Sequence, residues 1–434
     1  MVSTVSHDPV MQLLREGCRK KIFPGAVLCA SRMGGVRYDH AVGYASLQPN
    51  PLPMVTAALF DVASLTKIVA TTTALMVLVD AGEIEVEHPV SRYVPAFQVS
   101  GKEDITIAQL LDHSSGLPAH IKFYEELNAL REKGEDIPMG DASMDWVVER
   151  IAQVEGKPPG TSAEYSDLGF LVLGRLIELV ARQSLDQFCR EQIFLPLGME
   201  DTFFLPLYKT SNKRDVRRSR LKGRQIVATE DCPWRKRVLV GEVHDDNCYA
   251  LGGVAGHAGL FSTGADLHRF AQMLLRCSTG KATFFPPSLV QEFWRIQDGV
   301  PGSTRTMGWD TPSQTGSSAG ELFSRNSVGH LGFTGCSLWI DRDEEIIVVF
   351  LTNRVHPSRE NAEIKRFRPL IHNSIYGLIT TPSPLPPPKK AKRTSQPKKE
   401  AKEPAENELN GLTELTKSEP RLPLPPPPAP AKKD

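Results

Sequence analysis

The segment from Ile68 to Gly82, IVATTTALMVLVDAG, constrains the fold most. It presents almost no charge to water before Asp80. A helix with no polar face must be wrapped by the rest of its chain. Lys67 opens the segment, and Ser64 stands three residues earlier, in FDVASLTKIV. Helix positions three apart share a face, so the ammonium can reach the hydroxyl. Two readings follow. Ser64 is an N-cap beside a solvated lysine, or it is a nucleophile beside its base. Serine is a poor nucleophile until a base takes its proton. Lysine can be that base once burial or neighbouring cations lower its pKa.

Wrapping such a helix needs a large core. The chain has 434 residues, 40% hydrophobic and 24% charged, enough for two to three domains' worth of chain. Formal net charge is zero, which gives no electrostatic case for nucleic acid or membrane. No apolar run reaches the roughly 18 residues of a transmembrane helix. MVSTVSHDPVMQLLREG carries neither a basic leader nor a signal-length apolar run. The seven cysteines (18, 29, 189, 232, 248, 277 and 336) show no C-x-x-C spacing. The expectation is reduced, mostly buried thiols in a cytoplasmic protein.

Composition changes near Thr380. The stretch 380–434 holds 14 of the 34 prolines and 11 Lys+Arg against 7 Asp+Glu. PSPLPPPKKAKRTSQPKK and RLPLPPPPAPAKK cannot bury enough apolar surface to fold. Residues 381–434 are therefore expected to be a disordered, solubilising tail, with an acidic or nucleic-acid partner as the lesser reading.

Residues 1–380 are expected to form the folded body. GAVLCASR and VRYDHAVGYAS flank MGG as a β-hairpin. Apolar residues at helical spacing mark ITIAQLLDH, MDWVVERIAQ, GFLVLGRLIELVARQ and TGADLHRFAQMLLRC. CSLWIDRDEEIIVVFLTN reads as a second hairpin turning at DRDEE, and RENAEIKRFRPLIHNSIYGLI as a closing helix. The fold class is α/β (α+β): an antiparallel sheet flanked by helices, from about 20–62 and 300–380, with an inserted helical domain from about 63–299. Active sites often lie in the cleft between two such lobes.

S-x-x-K alone is a weak signal, and its weight depends on partners. LLDHSSGLP follows at Leu110, YSDLGFLVLG at Tyr165 and HLGFTGCSLWID at His330. In that order and spacing the motifs resemble the serine β-lactamase-like superfamily, in its class C β-lactamase, DD-peptidase and esterase branch, over roughly Pro24 to Leu378. GGVAGHAGLFSTGADLHRF resembles that family's loop and helix beside the acyl pocket. The resemblance implies a β-lactamase/transpeptidase-like fold and serine hydrolysis without cofactor or metal. It implies Ser64 as the acylated nucleophile, Lys67 as its base and Tyr165 as a proton relay. The backbone N–H groups of Ser64 and Phe333 would form the oxyanion hole. Asp167, His330, Gly332, Thr334 and His257 would face the substrate.

Two residues depart from the family pattern. Asp167 stands where Asn is usual, and a carboxylate there would hold Lys67 charged unless it turns away or is protonated. Leu331 replaces a hydroxyl residue that binds the carboxylate of β-lactams in the penicillin-recognising members. The implied substrate is a small or peptide-like ester or amide. ATEDCPWRKRVLVGEVHDDN tilts this toward a muropeptide-type amidase or peptidase, with a carboxylesterase beside it. A β-lactamase, or a binding protein that kept the fold, is the alternative.

Other features have plainer readings. His113 in DHSSGLP suits a hydrogen-bonded turn. His244, Asp245, Asp246 and His257 fit no strong zinc spacing. KTSNKRDVRRSRLKGR, with eight basic residues and one acidic, reads as a solvated loop able to steer anions. Trp309 either lines the pocket or packs.

Overall fold

The computed structural model describes residues 8–99, 101–207, 216–297 and 299–381. The expected tail lies outside the described residues, apart from Thr381. In chain order the strands are β1 (Gly25–Arg32), β2 (Gly35–Ser46), β3 (Leu52–Pro53), β4 (Phe60–Asp61), β5 (Phe203–Phe204), β6 (Ala228–Cys232), β7 (Arg237–Val240), β8 (Leu260–Ser262), β9 (Val328–Leu331), β10 (Ser337–Asp341) and β11 (Ile346–Thr352).

Both expected hairpins form. Met33 and Gly34 turn β1 into β2 with φ of 52° and 78°, the left-handed pair whose twist suits a two-residue hairpin. DRDEE turns β10 into β11, with Glu345 at φ 50°. The two hairpins join through β1 and β11, Leu28 opposite Phe350. The result is one antiparallel sheet in the order β3-β2-β1-β11-β10-β9, built from both ends of the chain.

Side chains alternate across a strand, so each hairpin feeds two cores. Val27, Cys29, Ile347, Val349 and Leu351 point into the larger core, with Ile68, Leu75 and Phe170. Ala26, Leu28, Val348 and Phe350 point to the other face. There the helices Pro9–Arg19 and Ile364–Thr380 cover them with Val10, Leu14, Phe367 and Ile371. Six of the seven cysteines are buried and Cys18 is half-buried, all as free thiols.

The middle of the chain is mostly helical, as its periodicity suggests. Helices Ile107–Leu111, Asp141–Gln153, Asp167–Ala181 and Gly264–Ser278 coincide with the four apolar-periodic stretches. The last packs on the sheet rather than with the inserted lobe: Leu267, Phe270 and Leu274 join the larger core, and His268 Nε2 lies 2.6 Å from Ser31 Oγ. Two small sheets, β4-β8-β5 and β6-β7, also interrupt the middle. The strands of the first, two or three residues long, are too short to display alternation.

Candidate active site

Ser64 sits in the turn after β4. Buried Asp61 shapes that turn: its Oδ1 accepts the Ala63 N–H at 2.8 Å and its Oδ2 the His244 N–H at 2.6 Å. Thr66 Oγ1 donates to the Ala63 carbonyl at 2.6 Å. Ala63 is thereby held at φ 48°, a left-handed conformation costly for alanine. The Ser64 hydroxyl caps nothing: it accepts from Lys67 Nζ at 3.2 Å and from no backbone N–H among the described residues.

Lys67 begins a π-helical run, Lys67–Thr72, that leads into the helix Thr73–Asp80. Such wide turns recur at functional sites. The side chain is fully buried, and three partners take its three protons: Asp167 Oδ1 at 2.7 Å, Ser64 Oγ at 3.2 Å and the His257 carbonyl at 3.2 Å. Burial alone would lower its pKa, but Asp167 and Tyr165 outweigh burial and hold it above the ordinary lysine value. Asp167 is correspondingly held far below the usual carboxylate range, Lys67 and His120 overcoming its burial. In the resting site Asp167 is neither turned away nor protonated, so it holds Lys67 charged, as the sequence reading anticipated for a carboxylate at this position. A buried ammonium needs a counter-charge, and Asp167 is the carboxylate within reach.

Tyr165 enters just before the helix Asp167–Ala181. Its ring centroid is 4.9 Å from Lys67 Nζ, and its hydroxyl interacts with both Lys67 and Ser64. Burial holds the phenol above its ordinary pKa, against the pull of Lys67. His113 has the pinning role expected of it: Nδ1 accepts the Ser166 N–H at 3.1 Å, and its ring packs 4.7 Å from that of Tyr165.

The third motif lies on β9 and the following turn. His330 Nδ1 lies 2.8 Å from the Leu331 carbonyl, which can only accept, so Nδ1 carries the proton. Its buried Nε2 has no partner among the described residues. Burial first, then Lys67 and Arg305, push its pKa down to about 3. His330 is therefore a neutral acceptor at pH 7. Leu331 lines the cavity. Gly332 permits close approach to the Ser64 turn: a Cβ there would lie 2.5 Å from the Val62 carbonyl. The N–H groups of Ser64 and Phe333 donate no hydrogen bond among the described residues, and both residues line the cavity.

Two expected substrate contacts do not reach the cavity. Thr334 is buried and its hydroxyl donates to the Asp61 carbonyl at 2.9 Å, inward. His257 is buried with Nε2 2.9 Å from Asp245 Oδ1, and its carbonyl serves Lys67. Trp309 packs between Phe270 and Trp294. In the described end of the basic run Lys222 is exposed, whereas Arg224 pairs with Asp201 at 2.5 Å and Arg220 donates to the Phe204 carbonyl. Residues 208–215 of that run lie outside the described residues.

Gly332→Ala is expected to displace the Phe333 N–H and lower kcat by about 10²–10³-fold while the protein stays folded. Steady-state kinetics with a circular-dichroism melt checks this; a loss under tenfold would remove that N–H from the proposed chemistry.

The cavity has a volume of about 730 Å³. It joins Ser64, Tyr165, Asp167 and His330 to residues that no motif marked, among them His120, Arg305, Arg354 and Arg368. Asp61 and His244 also escaped notice as supports.

Residues 10–372 match the family model described as Beta-lactamase. The chain belongs to the Beta-lactamase family. It is 30% identical over 357 residues to a Bacillus subtilis (strain 168) protein named N-acetylmuramyl-L-alanine amidase, covering 77% of this chain and 78% of that one. It is 31% identical over 335 residues to an Escherichia coli (strain K12) protein whose name provisionally assigns D-alanyl-D-alanine carboxypeptidase activity, covering 74% of each. Among solved structures, EstCE1, described as a hydrolase with promiscuous acyltransferase activity, superposes with a TM-score of 0.65 at 22% identity, over 85% of this chain and 97% of that one. That last likeness concerns the fold. As a Beta-lactamase family member with such relatives, the chain is a serine hydrolase. No helix among the described residues is long and apolar enough to cross a membrane.

Proposed function

We propose that the protein cleaves an amide of a muropeptide-like substrate through an acyl-enzyme on Ser64. One observation carries the reading: a fully buried lysine donates to a serine hydroxyl that caps no helix, beside two backbone N–H groups that donate to nothing among the described residues. The relatives' names support the substrate class. Ser64 Oγ attacks the carbonyl carbon, and the oxyanion accepts from the N–H groups of Ser64 and Phe333. Lys67 must be neutral to take the serine proton. Substrate that displaces water from the cavity favours proton transfer from Lys67 to Asp167, because desolvation penalises both charges. Tyr165 then relays a proton to the leaving nitrogen, and water repeats the sequence to release the acid.

The same chemistry would serve a carboxylesterase, and apolar Leu331 and half-exposed Phe333 over the acyl centre favour that second reading. A panel of muropeptides, p-nitrophenyl esters and nitrocefin tests the choice. Muropeptide amides should show the highest kcat/KM; an ester exceeding all of them by a decade would replace the amide reading.

β-Lactam turnover should be poor. Leu331 offers no hydrogen bond to the β-lactam carboxylate, and losing a bond to a charged group costs about 1.5–3 kcal/mol, one to two decades. Leu331→Thr should raise the nitrocefin rate. Parent turnover of nitrocefin matching the best substrate would contradict this.

A further inference from the structure

His244 is buried, and its backbone N–H donates to Asp61 Oδ2 at 2.6 Å. The other oxygen of Asp61 holds the Ala63 N–H, so the main chain of His244 is tied to the turn that carries Ser64. Its imidazole points the other way and stacks on the Phe333 ring, with centroids 5.7 Å apart and planes 24° from parallel. One residue thus bears on both candidate oxyanion donors.

Phe333 is 51% exposed, and an exposed side chain keeps its rotamer freedom unless something holds it. Two planar groups hold this one. Besides His244, Arg354 places Cζ 4.3 Å from the ring centroid and donates from Nε to the Phe333 carbonyl at 2.8 Å. The two groups are themselves linked. His244 Nε2 lies 3.3 Å from Glu230 Oε2, off hydrogen-bond alignment. Arg359 Nε donates to Glu230 Oε1 at 2.7 Å, and the Arg359 carbonyl accepts from Arg354 Nη1 at 2.7 Å. The contacts close a loop that begins and ends on the Phe333 ring.

The peptide that carries the Phe333 N–H is oriented by its Gly332 carbonyl, which accepts from the Gly335 N–H at 3.0 Å and from Arg368 Nη2 at 2.9 Å. Those bonds lie within the turn and the closing helix and make no reference to Ser64. The Thr334 hydroxyl, on the Asp61 carbonyl at 2.9 Å, does make one. A hydrogen bond at one point leaves rotation about itself, and the His244 ring supplies a second point on the neighbouring residue. Oxyanion donors work at about 2.7–3.1 Å from the developing charge, so the separation of the two N–H groups matters.

We propose that His244 is a positioning residue that sets the Phe333 N–H against the Ser64 N–H, through Asp61 at one end and the stacked Phe333 ring at the other. This rests on the acyl-enzyme reading above and adds to it a residue that acts through the oxyanion donors.

An alkyl fluorophosphonate tests this, because phosphonylation of Ser64 develops charge on an oxygen where the oxyanion would sit. Intact-protein mass spectrometry gives kinact and KI. His244→Ala and Phe333→Leu should each lower kinact about 10- to 100-fold and leave KI within about twofold. The double variant should be no slower than the slower single one, since both changes break the same stack. His244→Phe restores a ring and should return kinact to within about threefold of the parent. Phe333→Leu keeps the N–H at a half-exposed position, so it decides the matter even if His244→Ala misfolds by circular dichroism. A parental kinact in Phe333→Leu, losses that multiply in the double variant, or a loss confined to KI overturns the positioning role. Absence of any adduct on Ser64 of the parent would instead sink the acyl-enzyme reading.

Discussion

Ser64→Ala is expected to fold like the parent and to lose hydrolysis by several decades. The parent should gain the mass of one acyl or phosphonyl group on the peptide carrying Ser64; the variant should gain none. The contrast separates the two roles that Ser64 could have. An N-cap serine replaced by alanine costs about 0.5–2 kcal/mol of stability and leaves chemistry intact. In this protein the hydroxyl accepts from Lys67 Nζ at 3.2 Å and satisfies no helix N–H, so little stability is at stake. Lys67→Ala should be similarly inactive, and the double variant hardly worse than either single one, because residues acting as one unit do not add. The lysine differs in one respect: removing it leaves the Asp167 carboxylate with His120 alone, so Lys67→Ala should also melt earlier. A fluorophosphonate adduct on another residue, or an active Ser64→Ala protein, would overturn the nucleophile assignment.

The motif residues were legible because each carries its chemistry in a short local pattern. Ser64 and Lys67 are three positions apart on one turn, and Tyr165 directly precedes an apolar helix whose start is plain in the sequence. The two hairpins were legible because their strands, five to twelve residues long, alternate between two cores. What stayed hidden depends on contacts between polar side chains and distant backbone. Asp61 holds His244, 183 positions away, through a main-chain N–H that any residue could supply. Arg368 reaches back 36 positions to the Gly332 carbonyl on the same terms. Thr334 and His257 were near enough in sequence to be counted as substrate contacts. Side-chain direction excluded them, and that direction is set by the turn around Gly335, at φ 109°, and by the Asp245 carboxylate. The charge state of His330 was also beyond the sequence, since it follows from burial among Lys67 and Arg305.

Asp167→Asn should show the second large effect, on stability and on the pH profile together. Asp167 is the only carboxylate paired with the buried Lys67 among the described residues. Its folded pKa is depressed, so its contribution to stability is present above the ordinary aspartate value and is lost as pH falls through the folded one. The Lys67 pKa is raised, so its contribution is present below the ordinary lysine value and is lost as pH rises through the folded one. The pair thus stabilises the fold between about pH 4 and pH 10. Removing one partner of a buried pair costs about 3–5 kcal/mol unless the survivor neutralises. Lys67 can neutralise by releasing its proton, which is the form that Ser64 needs. The expected variant therefore melts earlier than the parent near pH 7 and binds fewer protons. It keeps activity within about tenfold, and the acidic limb of its kcat/KM profile moves down by more than one pH unit. Chemical denaturation and pH–rate profiles of parent and variant measure both halves. An unshifted limb would mean that Lys67 is not the group whose ionisation limits the rate. A folded but inactive Asp167→Asn would show that Lys67 cannot become the base unless the carboxylate is there to take its proton.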